Sequence, residues 1–441
     1  MRTLCALLIL GCALFGGVCL SAQAQSTPTD SLSSSARLDT AQAAWRADRP
    51  SVVISLLRPL ATTDTASATV YELLGRSHQA LRQHEAARTA LQRALEQGGQ
   101  SAALLTALGK SNQAEGRLAQ AEQAQRRALS VDTTGRSRHL RLRLADVLME
   151  RRRWDRAADL YRLLLSADST DVFVRKRLAH AEAERGRPDA ARRHYRSVHR
   201  QQPHDAAVAR SLTRLLSDRE QYTAALAVTR RTLKHRDWPD LWRRHGDLAF
   251  QVDSLAMAER AYENAVTRGD SAASTLQRLG IVRVGQNKAA DALSPLRTSY
   301  RHDSTRAATS FYLGTAYRGV DSLDQSIAAY EQAVDQASTG TLTDALLQLA
   351  PAHDETGHLP RALNTYRLVL RLQPERTEVY FHLAALYDEH YKDKTVAAKY
   401  YHRFLNQHKN SAPRLKEYAR RRLKTLQPTL HLQRGRTPPK P

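Results

Sequence analysis

Small residues return along this chain at nearly constant intervals. Ala87, Ala121, Ala157, Ala191, Ala225, Ala258 and Ala292 follow one another in steps of 33 to 36 residues, and Ser326 and Ala362 continue the series. A side chain must stay small at a recurring slot only where another helix passes close over it. Self-similarity with a period of roughly 20–50 residues marks a solenoid of stacked supersecondary units. The chain is therefore expected to be built from helix pairs, each too small to bury its apolar face alone.

A second small slot stands twelve residues upstream of the first: Ala41, Gly75, Gly109, Ala145, Ala179, Thr213, Gly246, Gly280, Gly314, Ala350 and Ala384. Leucine precedes it in nine repeats, from Leu74 to Leu383. Four residues after the recurring alanine comes a bulky side chain, as in Leu91, Tyr161, Tyr195, Tyr262, Leu296, Tyr330 and Tyr366. Leucine beside a small residue on one helix, with alanine on the next, lets two antiparallel helices approach while large groups fill the seam between pairs. Apolar spacing of three and four residues indicates helix in both members of each pair, and no run reads as a strand. The fold class expected is all-α.

These positions resemble the tetratricopeptide repeat, whose unit has a bulky-Leu-Gly-Tyr helix A and an Ala-Tyr/Phe-Ala-Pro helix B. The likeness is clearest in Trp242, Gly246, Ala258, Tyr262 and Ala265, in Leu313, Gly314, Tyr317, Tyr330 and Ala333, and in Leu349, Ala362, Tyr366 and Pro374. It implies a right-handed α-solenoid of about eleven repeats over 36–410, about 85% of the chain. The first repeat is degenerate, with Val53 and Leu57 in the alanine and tyrosine slots, and the last slips by about one residue at Val396, Ala397 and Tyr401. Residues 411–426 are expected to form a capping helix with Leu415, Tyr418, Ala419, Leu423 and Leu426 on one face, and 427–441 a disordered basic tail. Two repeat steps are longer, and the spacers near Gly135 and Gly340 are expected to form lengthened turns.

Location is read from the N-terminus. Arg2, an apolar run from Leu4 to Leu20 and Ala22-Gln23-Ala24 have the order of a secretory signal peptide cut after Ala24. Residues 25–35, rich in Ser and Thr, then read as a flexible spacer. Cys5, Cys12 and Cys19 all lie in the leader, so the mature chain would hold no disulfide, thiolate metal site or cysteine nucleophile. On this reading the protein is exported, periplasmic or associated with the outer envelope.

The formal net charge is +23, and the excess is local. Between Arg136 and His245 there are 27 Lys or Arg against 14 Asp or Glu, whereas Thr341 to Asn410 has 9 against 8. A basic middle attracts polyanions, a statement about association rather than fold. Outside a cytoplasm the partners it suits are an acidic or extended protein segment, an anionic polysaccharide or a lipid headgroup. Nucleic acid fits the charge but conflicts with export.

In the family it resembles, helix A lines the concave groove at unit positions two, five, nine and twelve. Those slots hold Lys176, Arg210, Arg214 and Arg243 in the middle, with Arg177 and Arg244 beside them, and Asp344, Asp354, Glu378 and Asp388 toward the C-terminus. The groove is thus expected to run from basic to acidic and to orient an extended ligand. Position nine holds Arg76, Lys110, Asp146 and His180 in successive repeats and never asparagine, so the carboxylate clamp of chaperone-binding relatives is not expected.

No motif calls for catalysis or a cofactor. His353 and His358 flank two acids but are five residues apart, not the i, i+4 pair of a helical zinc site. His194, His199 and His204 rotate around a helix, His235 and His245 have no placed acid partner, and no phosphate loop or dinucleotide fingerprint occurs. Gly116, Gly186 and Gly357 read as turns between helices, and Trp45, Trp154, Trp238 and Trp242 as packing groups. The expectation is a non-catalytic interaction scaffold of the bacterial envelope; the alternative is a carbohydrate-associated scaffold of exopolysaccharide export or assembly.

Overall fold

A computed structural model describes residues 33–62, 66–133, 137–337, 339–407 and 413–434. The expected signal peptide and most of the spacer lie outside these residues. Among them are 23 α-helices and no strand. They run in pairs: α1 (Ser34–Arg46) with α2 (Pro50–Leu57), α3 (Ala68–Ala80) with α4 (His84–Glu96), α5 (Ala102–Ala114) with α6 (Leu118–Ser130), and α7 (Ser137–Glu150) with α8 (Trp154–Ala167). Next in chain order come α9 (Val172–Glu184) and α10 (Pro188–Gln201), followed by α11 (Ala206–Ser217) with α12 (Tyr222–Leu233). There follow α13 (Pro239–Gln251) with α14 (Leu255–Thr267), α15 (Ala273–Gly285) with α16 (Ala289–His302), and α17 (Ala307–Arg318) with α18 (Leu323–Gln336). Last come α19 (Thr339–Glu355) with α20 (Leu359–Leu372), α21 (Val379–His390) with α22 (Thr395–Gln407), and the closing helix α23 (Pro413–Arg434). The chain divides into two compact units, residues 1–187 and 188–441.

Each recurring alanine, and Ser326, is wholly buried. Serine is accommodated in that slot because its hydroxyl donates to the Gly314 carbonyl oxygen on the facing helix at 2.8 Å. The upstream small slot does a different job from the one expected. It receives the bulky group of its own pair: a Cβ on Gly314 would lie 2.7 Å from the Tyr330 ring, and one on Gly246 2.7 Å from Tyr262. Tyr262 and Tyr330 are therefore plugs within a pair, seated against the bare backbone of helix A, rather than fillers between pairs.

Every helix A to helix B turn in the first ten pairs closes the same way. The residue seven after the small slot is left-handed, from Asp48 through Arg82, Gly116, Arg152 and Gly186 to Gly357. The next amide donates back five residues, as Arg153 to the Leu148 carbonyl at 2.8 Å and His358 to that of His353 at 2.7 Å. This is a Schellman close, which satisfies the last carbonyls of helix A. Gly116, Gly186 and Gly357 are thus turn glycines as expected, with φ of +73°, +75° and +77°. At α5, α9 and α11 the N-cap hydroxyl or carboxylate, from Ser101, Asp171 and Asp205, accepts the backbone amide three residues on.

The eleventh pair is the exception. Its connection, 391–394, has no left-handed residue, and Asp393 caps α22 through the Thr395 amide at 2.9 Å. This is the physical origin of the one-residue slip seen at Tyr401, which is nonetheless fully buried.

Two boundaries differ from expectation. The extra residues near Gly340 do not lengthen a turn; they extend α19 to 17 residues, because the helix starts at Thr339. The closing helix runs on to Arg434, eight residues into the stretch expected to be a disordered tail, and 435–441 lies outside the described residues. Polar composition did not stop it: Arg, Lys, Leu and Gln all have good helix propensity.

Candidate functional site

Charged side chains on the helix A slots mostly meet one another. Arg210 holds Asp240 with two nitrogens, at 2.5 and 2.9 Å, and lies 5.5 Å over the Trp238 ring. That pairing raises the pKa of Arg210 and, despite partial burial, lowers that of Asp240. Arg243 stands 3.8 Å from Asp270, and Arg177 3.6 Å from Asp146 while covering Phe173 at 5.3 Å. At the acidic end, Asp344 and Glu378 share Arg376, at 3.6 and 3.5 Å, and Asp354 meets His390 at 3.0 Å. The described partners come mainly from the neighbouring repeat. These charges therefore tie repeats together as well as colouring a surface.

Asp388 departs furthest from its expected role. It is buried, holds Arg422 of α23 at 2.6 and 3.1 Å, accepts weakly from the Tyr401 hydroxyl at 3.4 Å and lies 3.7 Å from Lys394. It fastens the closing helix instead of lining an open face. Of the expected basic residues, Arg214 is exposed and Arg244 half-buried, and neither makes an ion pair among the described residues. Lys176 is half-buried.

An enclosed cationic site lies in the first unit, where sequence reasoning did not place one. A cavity of about 500 Å³ is lined from α3, α5 and α7 by Arg76, Lys110 and His139, with Asp132 and Thr106. Burial first, then the like charges of Arg143 and Arg76, hold Lys110 below the usual ammonium range. Lys110 has no ion pair among the described residues, while Arg76 reaches Glu72 at 3.6 Å and covers Trp45 at 5.1 Å. The signal was legible: Arg76 and Lys110 both occupy position nine, one repeat apart.

The histidines serve packing. His199 is buried and its Nε2 lies 3.0 Å from the Thr232 hydroxyl, and His245 Nδ1 lies 2.7 Å from that of Thr229. Burial, reinforced by Arg230, brings the pKa of His245 down to about 4. Among the described residues, no group of three or more His, Cys, Asp or Glu is placed to hold a metal ion. No described helix is long and apolar enough to cross a membrane. Trp45, Trp238 and Trp242 each carry an arginine over the ring, a contact their reading as packing groups had not included.

A family model for the tetratricopeptide repeat matches residues 198–420, and a second model for the same repeat matches 72–138 and 106–172. The chain belongs to the tetratricopeptide repeat family. Among solved structures, this repeat protein is similar to the MamA protein, at 22% identity over 38% of this chain and 91% of that one, with a TM-score of 0.36. It is also similar to YrrB, described as a tetratricopeptide repeat protein with an unusual peptide-binding site, at 15% identity over 43% and 97% of the two chains and a TM-score of 0.39. Against the Cut9–Hcn1 hetero-tetramer of the APC/C the values are 13% identity, 88% and 96% coverage and a TM-score of 0.42. No curated protein matches the sequence.

Proposed function

We propose that this tetratricopeptide repeat protein is a non-catalytic scaffold of the bacterial envelope that holds an acidic, extended protein segment on its helix A face. The cavity at Lys110 carries the reading. Arg76 and Lys110, from successive repeats, line a space open to a side chain beside Asp132 and His139, and burial together with the like charges of Arg143 and Arg76 disfavours the Lys110 ammonium until a negative group arrives. Arg214 on a helix A slot, and Arg244 beside one, supply further unpaired charge in the second unit. The acids expected at the C-terminal end are engaged by Arg376, His390 and Arg422, which favours a basic site over a groove graded from basic to acidic.

Export belongs to the same reading and rests on Arg2, the apolar Leu4–Leu20 run and Ala22-Gln23-Ala24. N-terminal sequencing of protein from envelope fractions should begin at Gln25. Binding is tested by fluorescence anisotropy with a labelled Asp/Glu-rich peptide at low and high salt. The Lys110→Glu, Arg143→Glu double variant should bind at least tenfold more weakly with unchanged helicity. Equal affinity in both proteins would remove the site, and an uncleaved N-terminus would remove the export.

A further inference from the structure

Besides Arg214 and Arg244 on helix A, the second unit carries a row of unpaired positive charge on helix B. In each helix B, the positions one and five residues after the plug are a single turn apart on one face. Arg196 and Arg200 occupy them on α10, and Arg230 on α12 with Lys234 at its C-cap. Arg297 and Arg301 occupy them on α16, and Arg367 and Arg371 on α20. All eight are exposed, and none makes an ion pair among the described residues. The first two pairs lie side by side, since α10 and α12 touch through His199 and Thr232, and Arg231 donates to the Arg200 carbonyl at 3.3 Å.

Two of these pairs are duplicates of one arrangement. Arg297 Nε donates to the Tyr317 hydroxyl at 2.9 Å, and Arg367 donates to that of Tyr387, seventy residues on in both members. Beside the first is a cavity of about 550 Å³ lined also by Arg301 and Tyr300, and beside the second one of about 750 Å³ lined by Arg371, Arg403, Tyr380 and Tyr400. No carboxylate lines either cavity among the described residues.

We propose that this helix B edge binds a linear polysaccharide bearing carboxylates, of the uronate type. Seven of the eight cations are arginine, whose planar fork matches a carboxylate with two parallel hydrogen bonds. The aromatic faces are already covered, Tyr317 by the Arg297 guanidinium and Tyr400 by stacking with Tyr380 and Tyr387. Those two rings are thus less open to a stacking nucleobase, while phenol hydroxyls remain for hydroxylated sugars. The row is also interrupted, by Glu263 on α14 and by exposed Glu331 and Asp335 on α18 at the corresponding positions. A polyuronate and a phosphodiester chain both carry one charge per unit, but the sugar chain has free hydroxyls along its length that donate to those carboxylates, and a DNA strand has none.

The test is calorimetry on the full mature chain with a size-defined oligogalacturonate, beside dextran, single-stranded DNA and an Asp/Glu-rich peptide of matched charge. The expected result is salt-sensitive binding of the oligogalacturonate that weakens at least tenfold in the Arg297→Gln, Arg301→Gln, Arg367→Gln, Arg371→Gln variant. The same four changed to lysine keep the charge and the fold but lose the fork, so several-fold weakening is expected; this variant decides the matter should the glutamine protein not fold. Lys110→Glu should leave oligogalacturonate binding intact, which separates this edge from the helix A site. Unchanged affinity in the glutamine variant, or in the lysine variant where it decides, overturns the proposal, as do absent binding at low salt, tighter binding of dextran or DNA, and tighter binding of the peptide to the Lys110→Glu protein.

Discussion

His245 occupies the slot that leucine fills in nine other repeats, and that exchange gives the second unit a specific sensitivity to acid. The imidazole is buried between α12 and α13, bonded to Thr229 and edge-on to Trp242 at 6.0 Å. Its folded pKa is about 4, against 6.5 when unfolded. A depressed value means that the unfolded chain takes up the proton first. The stability contribution is therefore complete above the unfolded pKa and is lost as pH falls toward the folded one. Between about pH 7.5 and about pH 5 this single group removes about 2 kcal/mol, rising to about 3 kcal/mol by about pH 4. His245→Leu restores the repeat's usual residue, and Thr229 keeps its bonds to the Ala225 and Leu226 carbonyls at 3.3 and 3.1 Å. The variant should lose about 2 kcal/mol less than the parent over that interval. The other histidines with lowered pKa, His199, His353 and His382, are common to both proteins and cancel in the difference. Urea unfolding at a series of pH values, read by tryptophan fluorescence, measures it. Hydrogen exchange in α12 and α13 should accompany it, because stacked repeats can open piecewise. Equal losses in the two proteins would show that His245 is not the group that responds.

Two further outcomes follow from the turns and the closing helix. Arg152 is left-handed at φ +55°, a conformation that strains a non-glycine residue, so Arg152→Gly should raise the urea midpoint by the equivalent of roughly 0.5–1 kcal/mol; a lowered midpoint would mean the side chain contributes more than the strain costs. Asp388→Asn breaks the two-nitrogen contact with Arg422 and should weaken α23 by about 2 kcal/mol, a buried-pair loss reduced by the partial exposure of Arg422, seen as faster amide exchange confined to that helix; unaltered exchange would assign its anchoring to the apolar contacts of Ala419 and Leu426.

The helix pairs, their number and their small-residue slots were legible because steric exclusion leaves a periodic mark: wherever two backbones approach, the side chain must shrink. What the slot accommodates was not legible. Gly314 and Tyr330 are sixteen residues apart, and only the folded pair shows that one is the seat of the other. Charge followed the same division. Composition located the excess of arginine between Arg136 and His245, but a sequence carries no distances, and pairing is decided by distance. Arg210 and Asp240 neutralise each other across two repeats, and Asp388 turns inward to Arg422, while Lys110 is left among like charges and the helix B row stays unpaired. Periodicity alone determined the repeating architecture, since local sterics act within one repeat. The free charges were decided by tertiary structure, because Coulomb energy depends on which neighbour a side chain reaches.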